Sequence, residues 1–499
     1  MRSSEGALMI QGTASDAGKS LVVAGLCRLF TRRGLSVLPF KPQNMSNNAA
    51  ITADGGEIGR AQALQARACR VEPVNDMNPV LLKPESDKGS QVVVQGHARA
   101  TVTAADYLDY KRTLMPRVME SYSRLRGRAD LVVVEGAGSI SEVNLRSGDI
   151  SNMGFACEAN VPVVLVADID RGGAIASIIG SWTLLPDGER PLLKGYIMNK
   201  FRGDLGVLEP ALDIIRERSG LPCFGVLKWF EGASRFPAED TLALAGGTNR
   251  ITGRADGPGR KIRIYVLALS RISNFDDFDP LSAEPDVSLA YVKPGEPVPG
   301  DGDLVIIPGT KSTIGDMEFL RAQGWDVDIA AHLRRGGRVL GVCGGYQMLG
   351  KTISDPHAAE NPEPRTIQGL GLIDVSTVME PLKTLRRFVA HTEKSDAVSG
   401  YEIHMGSTGG PGASSPMFYL DGAAEGAFSE DGRAFGCYIH GLFTSDSYRA
   451  RFLSAWRSGE GMGRERLAYE KRIDEALDEL ADRMERQLDI NAIARTAGV

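Results

Sequence analysis

The chain has 499 residues, 42% apolar and 24% charged, so it is long enough for two or three domains with large buried cores. Its formal net charge of −6 provides no overall basic field that would attract nucleic acid or an anionic membrane. Six cysteines without CxxC spacing are too few for a disulfide scaffold. We find no signal-peptide h-region and no apolar run long enough to span a membrane. We therefore expect a cytoplasmic protein without nucleic-acid or membrane partners.

The first motif is a glycine-rich loop, residues 11–20 (QGTASDAGKS), between an apolar strand-like run and an apolar helical segment. Strand, glycine loop, Lys-Ser and helix together predict a phosphate cradle in which backbone N–H groups and the lysine face phosphates. The alternative is a glycine-rich turn without a ligand. The predicted nucleotide contacts are Gly12, Thr13, Asp16, Gly18, Lys19 and Ser20, and the Ser20 hydroxyl is also a predicted Mg²⁺ ligand. Five residues separate Gly12 from Gly18, and this long loop resembles that of dethiobiotin synthetase and its relatives.

Two polar positions follow the next predicted strand, residues 37–40. Lys41 comes directly after it, at the carboxyl edge where open α/β sheets bind ligands, so we predict contact with a phosphate or a substrate carboxylate. Asp54 and Glu57 precede an alanine-rich helix. Helix capping explains one of these two acids, whereas metal or substrate binding explains both, and we predict Asp54 as a Mg²⁺ ligand.

Residues 131–135 (LVVVE) are typical of a buried parallel strand with an acid at its tip. Because that tip lies level with the phosphate loop, Glu135 is predicted as a further Mg²⁺ ligand, with a solvated loop as the alternative. Another strand ends at Asn199, which resembles the adenine-contacting asparagine of dethiobiotin-synthetase-like enzymes, although a turn asparagine is an equal alternative. Strands that alternate with helical segments predict a doubly wound parallel sheet over residues 1–244.

Residues 245–260 lose all apolar periodicity and are predicted as a linker. A new strand at residue 261 begins a second domain, predicted over residues 261–457. The acidic, aromatic segment of residues 275–279 (FDDFD) is either a solvated turn or part of a family pattern. Residues 458–499 predict a helical tail with apolar side chains at helical spacing, which indicates a packing helix or, alternatively, an oligomer contact.

The second motif places Cys343 between an apolar strand and a helix start, in the pattern Gly-x-Cys-x-Gly. The flanking glycines, Gly341 and Gly345, permit the tight turn of a nucleophile elbow. A thiol near a helix N-terminus is favoured as the thiolate, so Cys343 is a predicted nucleophile. Taken alone, the motif also fits a buried structural cysteine.

A predicted general base follows about a hundred residues later. His440 ends an apolar run before Gly441, and a cysteine on an elbow with a histidine at a later strand end is typical of a thiol nucleophile with its base. Upstream, residues 303–307 run into Gly309, whose loop offers N–H groups to a tetrahedral oxyanion. His404 is the alternative base or a substrate contact, and we favour His440 because it stands directly before a glycine.

Together the cysteine, the histidine and the glycine loop resemble the class I (triad) glutamine amidotransferase domain over residues 261–457. That resemblance implies glutamine hydrolysis through a thioester on Cys343, with release of ammonia. Most triad glutaminases carry a glutamate two residues after the histidine, where this sequence has Leu442. The cobyric acid synthase family is similar in lacking it, which leaves the orienting residue open and leads us to expect a weaker glutaminase.

A phosphate-binding domain fused to a glutaminase predicts ATP-dependent amidation, because a carboxylate at neutral pH must be activated before ammonia can attack it. The chain resembles the cobyric acid synthase family in its domain order and its long phosphate loop. The resemblance extends to residues 43–48, 54–62, 342–347 and 400–404. The resemblance implies two doubly wound α/β domains and the use of ATP, Mg²⁺ and glutamine. It also implies amidation of the b, d, e and g carboxylates of adenosylcobyrinic acid a,c-diamide, a corrinoid, in cobalamin biosynthesis.

Two alternatives remain at this point. Cobyrinic acid a,c-diamide synthase shares both domains, but its relatives carry a glycine at the position of Asp16 and lack the segment of residues 44–48 (NMSNN). A P-loop regulatory ATPase with an inactive glutaminase relic is the other alternative, and the intact pair of Cys343 and His440 argues against it.

Overall fold

The computed structural model describes residues 5–84, 89–237, 260–361, 363–393, 397–457 and 467–499. Two units make up the chain: Met1–Glu239 together with Lys471–Val499, and Asp240–Glu470. The predicted linker of residues 245–260 lies outside the described residues except for Arg260. Within the described ranges, no helix combines the length and apolar character needed to cross a membrane.

The first unit contains a large parallel sheet with helices around it and smaller antiparallel elements. Its strands are β1 (Gly6–Gly12), β2 (Val37–Phe40), β3 (Gln43–Met45), β4 (Ala49–Ile51), β5 (Glu57–Gly59), β6 (Val80–Pro84), β7 (Gly89–Val94), β8 (His97–Thr103), β9 (Leu131–Glu135), β10 (Val163–Asp168), β11 (Leu193–Phe201) and β12 (Cys223–Lys228). Its helices before the linker are α1 (Lys19–Arg32), α2 (Arg60–Ala68), α3 (Ala104–Arg112), α4 (Met115–Arg126), α5 (Met153–Ala159), α6 (Ala174–Leu184) and α7 (Leu205–Ser219).

The main sheet of this unit has the strand order β12-β11-β10-β1-β9-β2, and its neighbouring strands pair in parallel. Strands β1 and β9 are buried along their whole length, which explains their nearly continuous apolar sequence. Because the strands run in parallel, their carboxyl ends lie at one edge of the sheet, where Gly12, Glu135 and Asn199 are found. The predicted doubly wound α/β fold is confirmed.

The second unit also contains a mostly parallel sheet. Its strands are β13 (Ile262–Leu267), β14 (Val287–Val292), β15 (Leu304–Ile307), β16 (Arg338–Val342), β17 (Thr352–Asp355), β18 (Arg365–Gln368), β19 (Ser376–His391), β20 (Ala397–Gly409), β21 (Phe418–Leu420), β22 (Ala423–Glu425), β23 (Ala427–Phe428) and β24 (Ala434–Cys437). Its helices are α8 (Asp279–Ser282), α9 (Thr313–Ala322), α10 (Trp325–Arg334), α11 (Gly344–Leu349) and α12 (Asp446–Ser454).

The main sheet of the second unit has the order β14-β13-β15-β16-β24-β23, in which only the edge pair β23–β24 is antiparallel among the pairings described. The carboxyl ends of β15 and β16 therefore lie side by side, with Ile307 opposite Gly341. A second sheet of this unit contains the long hairpin of β19 and β20. The backbone of β20 forms an isolated bridge to His440 through Tyr401, so this hairpin borders the predicted base.

The C-terminal segment, for which the sequence predicted a packing helix, belongs to the first unit from Lys471 to Val499. It forms α13 (Tyr469–Gln487) and α14 (Ile490–Ala497). Met484 of α13 packs against α1 so closely that a Cβ on Gly25 would lie 2.4 Å from its sulfur. Asp474 pairs with the buried Arg28 at 2.6 Å and with Arg67 at 2.8 Å. The helix that follows the phosphate loop is thus packed against the last part of the sequence.

Candidate active site

The predicted nucleophile lies on a strained turn. Cys343 follows β16 and precedes α11, and its backbone has φ +54° and ψ −112°, a conformation that non-glycine residues rarely adopt. A Cβ on Gly345 would lie 1.9 Å from the carbonyl oxygen of Ile307, and a Cβ on Gly341 would lie 2.5 Å from the carbonyl oxygen of Gly345. Both flanking positions therefore require glycine, and the turn holds the thiol at the end of the central strand.

His440 lies beside this thiol and is held by a carboxylate that the sequence did not identify. Its Nδ1 is 2.6 Å from Oδ2 of Asp277, and the backbone N–H of Gly441 donates to Oδ1 of the same carboxylate at 2.8 Å. Both side chains are buried. Because Asp277 accepts at Nδ1, the other ring nitrogen is left to face the thiol. The strand β24 ends at Cys437, so His440 stands three residues beyond the observed strand end and does not end the strand itself, as the sequence had predicted.

The charge state of His440 follows from its surroundings. Burial alone lowers the pKa of the imidazole, but the charges of Asp277 and Cys343 and the hydrogen bonds to them outweigh burial and raise the pKa of His440 to about 10. An imidazolium beside a thiol stabilises the thiolate form of that thiol. A thiol beside a histidine that a carboxylate holds in place fits a nucleophile with its acid–base partner.

The rival base, His404, is held away from this role by other contacts. Its ring stacks on Tyr438 with centroids 3.7 Å apart, and its Nδ1 lies 3.2 Å from the carbonyl oxygen of Gly406. Its Nε2 lies 3.9 Å from a carboxylate oxygen of Glu402. The neighbouring Ile403 instead supplies a carbonyl oxygen 3.5 Å from the sulfur of Cys343.

The glycine loop after β15 runs along the same pair of side chains. A Cβ on Gly309 would lie 3.2 Å from Cε1 of His440. A Cβ on Gly344 would lie 3.3 Å from the backbone nitrogen of Thr310. The main chain of this loop thus lies beside the residue that follows the nucleophile, where donors to a developing oxyanion are needed.

In the first unit, the residues of the phosphate loop enclose Lys19. Its Nζ donates to the carbonyl oxygens of Ala14 and Ser15, both at 3.0 Å, and to that of Gly138 at 2.7 Å. Gly18 has φ +95° and would place a Cβ 2.3 Å from Nδ2 of Asn199. The lysine therefore lies folded over the loop, close to the main chain that would surround a phosphate.

Asn199, from β11, contacts this loop, and Asp16 is one of the loop's own residues. Nδ2 of Asn199 donates to the carbonyl oxygen of Ala17 at 2.9 Å, and the asparagine side chain is buried. The exposed carboxylate of Asp16 pairs with Arg171 at 3.1 Å. Asn199 thus holds the main chain of the loop by this hydrogen bond. Its predicted contact with an adenine ring stays a prediction.

Glu135 is the centre of a buried polar cluster beside the loop. One of its oxygens, Oε1, accepts from the Ser20 hydroxyl at 2.7 Å and lies 2.8 Å from Nζ of Lys41. Its other oxygen accepts from Nε2 of Gln65 at 2.5 Å. Ser20, Lys41 and Glu135 are therefore brought together, as their positions at the sheet edge predicted. The hydroxyl and carboxylate oxygens are hard ligands that suit Mg²⁺, which otherwise keeps waters and substrate phosphates.

The structure does not bring Asp54 to this cluster. Its exposed carboxylate accepts from the backbone N–H of Asn75 at 3.1 and 3.2 Å, so the side chain stabilises a local turn. Within the described part of the chain, no group of three or more His, Cys, Asp or Glu side chains is arranged to hold a metal ion. Of the three predicted Mg²⁺ ligands, Ser20 and Glu135 thus lie together, and their role in metal binding stays a prediction.

Comparison with known proteins also assigns a nucleotide-binding domain to the first part of the chain and a glutaminase domain to the second. Residues 8–243 match the model of the CobQ/CobB/MinD/ParA nucleotide binding domain, and residues 263–448 match the CobB/CobQ-like glutamine amidotransferase domain. The cobyric acid synthase of Cereibacter sphaeroides (strain ATCC 17025) is 55% identical, over 98% of this chain and 99% of the relative. The chain belongs to the cobyric acid synthase family. The cobyric acid synthases of Bradyrhizobium diazoefficiens and Rhodobacter capsulatus are 56% and 54% identical to it, each over 98% of this chain and 99% of the relative.

Membership of the cobyric acid synthase family confirms the predicted resemblance and makes the chain an enzyme, a glutamine amidotransferase ligase with a nucleotide-binding domain. It is an ATP- and glutamine-dependent amidating enzyme of cobalamin biosynthesis. Asp277 is the main functional candidate that the sequence prediction missed. Its only signal was the similarity of residues 272–281 (ISNFDDFDPL) to a stretch of this family, which is closer than chance gives but assigned no role to the carboxylate.

Proposed function

We propose that this chain amidates the b, d, e and g carboxylates of adenosylcobyrinic acid a,c-diamide with ammonia that it releases from glutamine at Cys343. The observation that carries the proposal is the buried contact of His440 with both Asp277 and Cys343, in a chain that also has the phosphate loop beside Glu135. Similarity to the cobyric acid synthases over almost the whole chain supports the choice of corrinoid.

In the glutaminase reaction, the Cys343 thiolate attacks the carboxamide carbon of glutamine and forms a tetrahedral oxyanion beside the Gly309 loop. The His440 imidazolium gives its proton to the departing amide nitrogen, which leaves as ammonia, and a thioester remains. His440, now neutral, takes a proton from water as the water attacks the thioester, and glutamate leaves. Asp277 keeps the ring oriented and stabilises its charged form in both steps.

In the amidation reaction, an oxygen of the substrate carboxylate attacks the γ-phosphorus of ATP, the bond to ADP breaks, and an acyl phosphate forms. Ammonia then attacks the acyl carbon, and phosphate leaves as the amide forms. Lys19 and the loop N–H groups hold the nucleotide phosphates, and Lys41 offers a positive charge at the same sheet edge. A Mg²⁺ ion held by Ser20 and Glu135 would neutralise charge on the phosphates.

The test is mass spectrometry of the corrinoid after incubation with purified protein, ATP, Mg²⁺ and glutamine. With adenosylcobyrinic acid a,c-diamide we expect stepwise conversion of four carboxylates to amides, with one carboxylate left free. An unchanged a,c-diamide, together with amidation of cobyrinic acid, would instead assign the chain to the a,c-diamide synthase reaction. Glutamine-independent ATPase activity stimulated by a protein partner, without amidation, would support the regulatory ATPase.

The pair of Lys41 and Glu135 predicts a Mg²⁺-dependent change in stability. Both side chains are buried, and Lys41→Met leaves the Glu135 carboxylate without its lysine counter-ion. In the absence of metal, we expect this change to lower the free energy of unfolding by about 3–5 kcal/mol. Saturating Mg²⁺ with ADP should restore much of this loss, because the metal neutralises the same carboxylate. Thermal unfolding with and without Mg²⁺–ADP measures both effects. An equal loss under both conditions would contradict a metal site at Glu135.

A further inference from the structure

The helix α2 carries a buried amide side chain that contacts Glu135. This residue, Gln65, is fully buried. Its Nε2 donates to Oε2 of Glu135 at 2.5 Å and lies 3.5 Å from the carbonyl oxygen of Ser20. The other oxygen of the same carboxylate accepts from the Ser20 hydroxyl. Gln65 therefore helps to orient the carboxylate that forms the proposed Mg²⁺ site together with Ser20.

The amide of Gln65 is held at one end only. Its Oε1 is buried and has no hydrogen-bond partner among the described residues. A second bond that would fix the amide independently of its helix is therefore missing, and the backbone that carries the side chain sets its position. The placement of α2 thus decides whether Gln65 reaches Glu135.

The second half of α2 is attached to the C-terminal helix α13 by an arginine. Nη2 and Nε of Arg67 donate to the two carboxylate oxygens of Asp474 at 2.8 and 3.2 Å. Such a two-bond pair fixes direction as well as distance. Gln65 and Arg67 lie on nearly opposite sides of α2, because a helix turns once in about 3.6 residues. One side of α2 thus contacts Glu135 while the other is held by α13.

Asp474 is in turn fixed by α1, the helix that follows the phosphate loop. Its Oδ1 accepts from Nη2 of Arg28 at 2.6 Å, and the Arg28 side chain is buried. Partial burial alone would raise the pKa of Asp474, but the hydrogen bonds and charges of Arg67 and Arg28 outweigh it and lower that pKa. The carboxylate is therefore charged at neutral pH, and it joins α1 to α2.

We propose that Asp474, through Arg67, positions Gln65 and thereby the Glu135 carboxylate for metal binding in the ATP-dependent reaction. This inference rests on the proposed Mg²⁺ site of Ser20 and Glu135. Asp474, Arg67 and Gln65 are positioning residues, because each acts through a neighbouring side chain on the groups that would bind the metal. Removal of a side chain that orients a metal ligand typically weakens metal affinity or activity by about 10–100-fold.

The test measures metal binding in wild-type protein, Gln65→Leu and Arg67→Gln. Gln65→Leu removes the donor to Glu135, and Arg67→Gln removes the two-bond pair while Arg28 stays paired with Asp474. The probe is Mn²⁺ in the presence of ADP, with free Mn²⁺ measured by electron paramagnetic resonance, because Mn²⁺ accepts the same oxygen ligands as Mg²⁺. We expect the Mn²⁺ dissociation constant to rise on the order of 10–100-fold in Gln65→Leu and about 10-fold in Arg67→Gln.

Amidation supported by ammonium gives a second readout. The Mg²⁺ concentration that supports half of the maximal rate should rise in both variants by factors similar to those for Mn²⁺, with a smaller change in the rate at saturating Mg²⁺. A purely structural role would lower the rate at every Mg²⁺ concentration by the same factor and leave the midpoint in place, which would contradict the proposal.

A double-mutant cycle tests whether Arg67 acts through Gln65. If it does, adding Arg67→Gln to Gln65→Leu should weaken Mn²⁺ binding no further, because the amide whose position Arg67 controls is already absent. Independent effects would instead multiply. Multiplied effects would overturn the link between Arg67 and Gln65.

Arg33→Gln is the matched control. Arg33 follows the last residue of α1 and pairs with Glu485 of α13 at 2.9 Å, so the variant removes another ion pair of α13 and leaves Arg67 in place. It should bind Mn²⁺ with wild-type affinity. Arg67→Lys keeps the charge but not the two-bond geometry, so its affinity should lie between those of Arg67→Gln and the wild type.

Unchanged Mn²⁺ affinity in Gln65→Leu or in Arg67→Gln would overturn the proposal and leave the pair of Arg67 and Asp474 as a contact that only stabilises the fold. An equal loss of affinity in Arg33→Gln would overturn it too, because any weakening of α13 would then have the same effect. Wild-type Mn²⁺ affinity in Glu135→Gln is a different result, since it would refute the metal site itself and the inference with it.

Discussion

Cys343→Ala is expected to abolish glutamine-supported amidation, by at least about 10⁴-fold, and to leave ammonium-supported amidation close to the wild-type rate. The reason is that alanine removes the thiolate that forms the thioester, whereas the phosphate loop and Glu135 belong to the other unit. Alanine also fits the space of the buried thiol, so the elbow should persist. Parallel assays of corrinoid amidation with glutamine and with ammonium chloride measure both rates.

Cys157→Ala is the matched control, because Cys157 is an exposed cysteine of the first unit. It should keep both activities. Equal loss of glutamine-supported and ammonium-supported amidation in Cys343→Ala would show that Cys343 is needed for the structure and not as the nucleophile.

Asp277→Asn is expected to lower kcat of the glutaminase reaction on the order of 10³–10⁴-fold, because an amide neither stabilises the imidazolium nor selects the required tautomer. The variant should leave ammonium-supported amidation intact. Without the carboxylate, the pKa of His440 should fall from about 10 toward or below its ordinary value, since burial then acts with less opposition. The imidazolium form of His440 would then be lost at lower pH than in the wild type.

The matched control for Asp277 is Asp301→Asn, an exposed acid of the same unit that pairs with Arg263. It should hydrolyse glutamine at the wild-type rate. Wild-type glutaminase kcat in Asp277→Asn, with an unchanged pH profile, would mean that another group orients His440.

The features that the sequence predicted well are local. The elbow at Cys343 needs glycine on both sides because the neighbouring main chain leaves no room for a Cβ, and that demand is visible as a short pattern. Buried parallel strands such as β1 and β9 are apolar along their length, so the doubly wound fold and the acid at the tip of β9 could be predicted.

The features that were missed depend on contacts between distant parts of the chain. Asp277 stands 163 positions before His440, and the family similarity of its segment does not say which side chain the carboxylate contacts. Asp54 looked like a metal ligand because acids before a helix suit that role, but its turn directs the carboxylate to Asn75. The return of α13 to the first unit follows from its packing on α1, which helical spacing alone does not indicate.

The most direct test of glutamine hydrolysis coupled to amidation uses glutamine labelled with ¹⁵N at the side-chain amide. Wild-type enzyme is incubated with this glutamine, ATP, Mg²⁺ and adenosylcobyrinic acid a,c-diamide, and the corrinoid is analysed by mass spectrometry. We predict ¹⁵N in every newly formed amide, and unlabelled amides when Cys343→Ala is supplied with both labelled glutamine and ordinary ammonium. Labelled amides formed by Cys343→Ala, or no amidation of the corrinoid by the wild type, would contradict the proposed reaction.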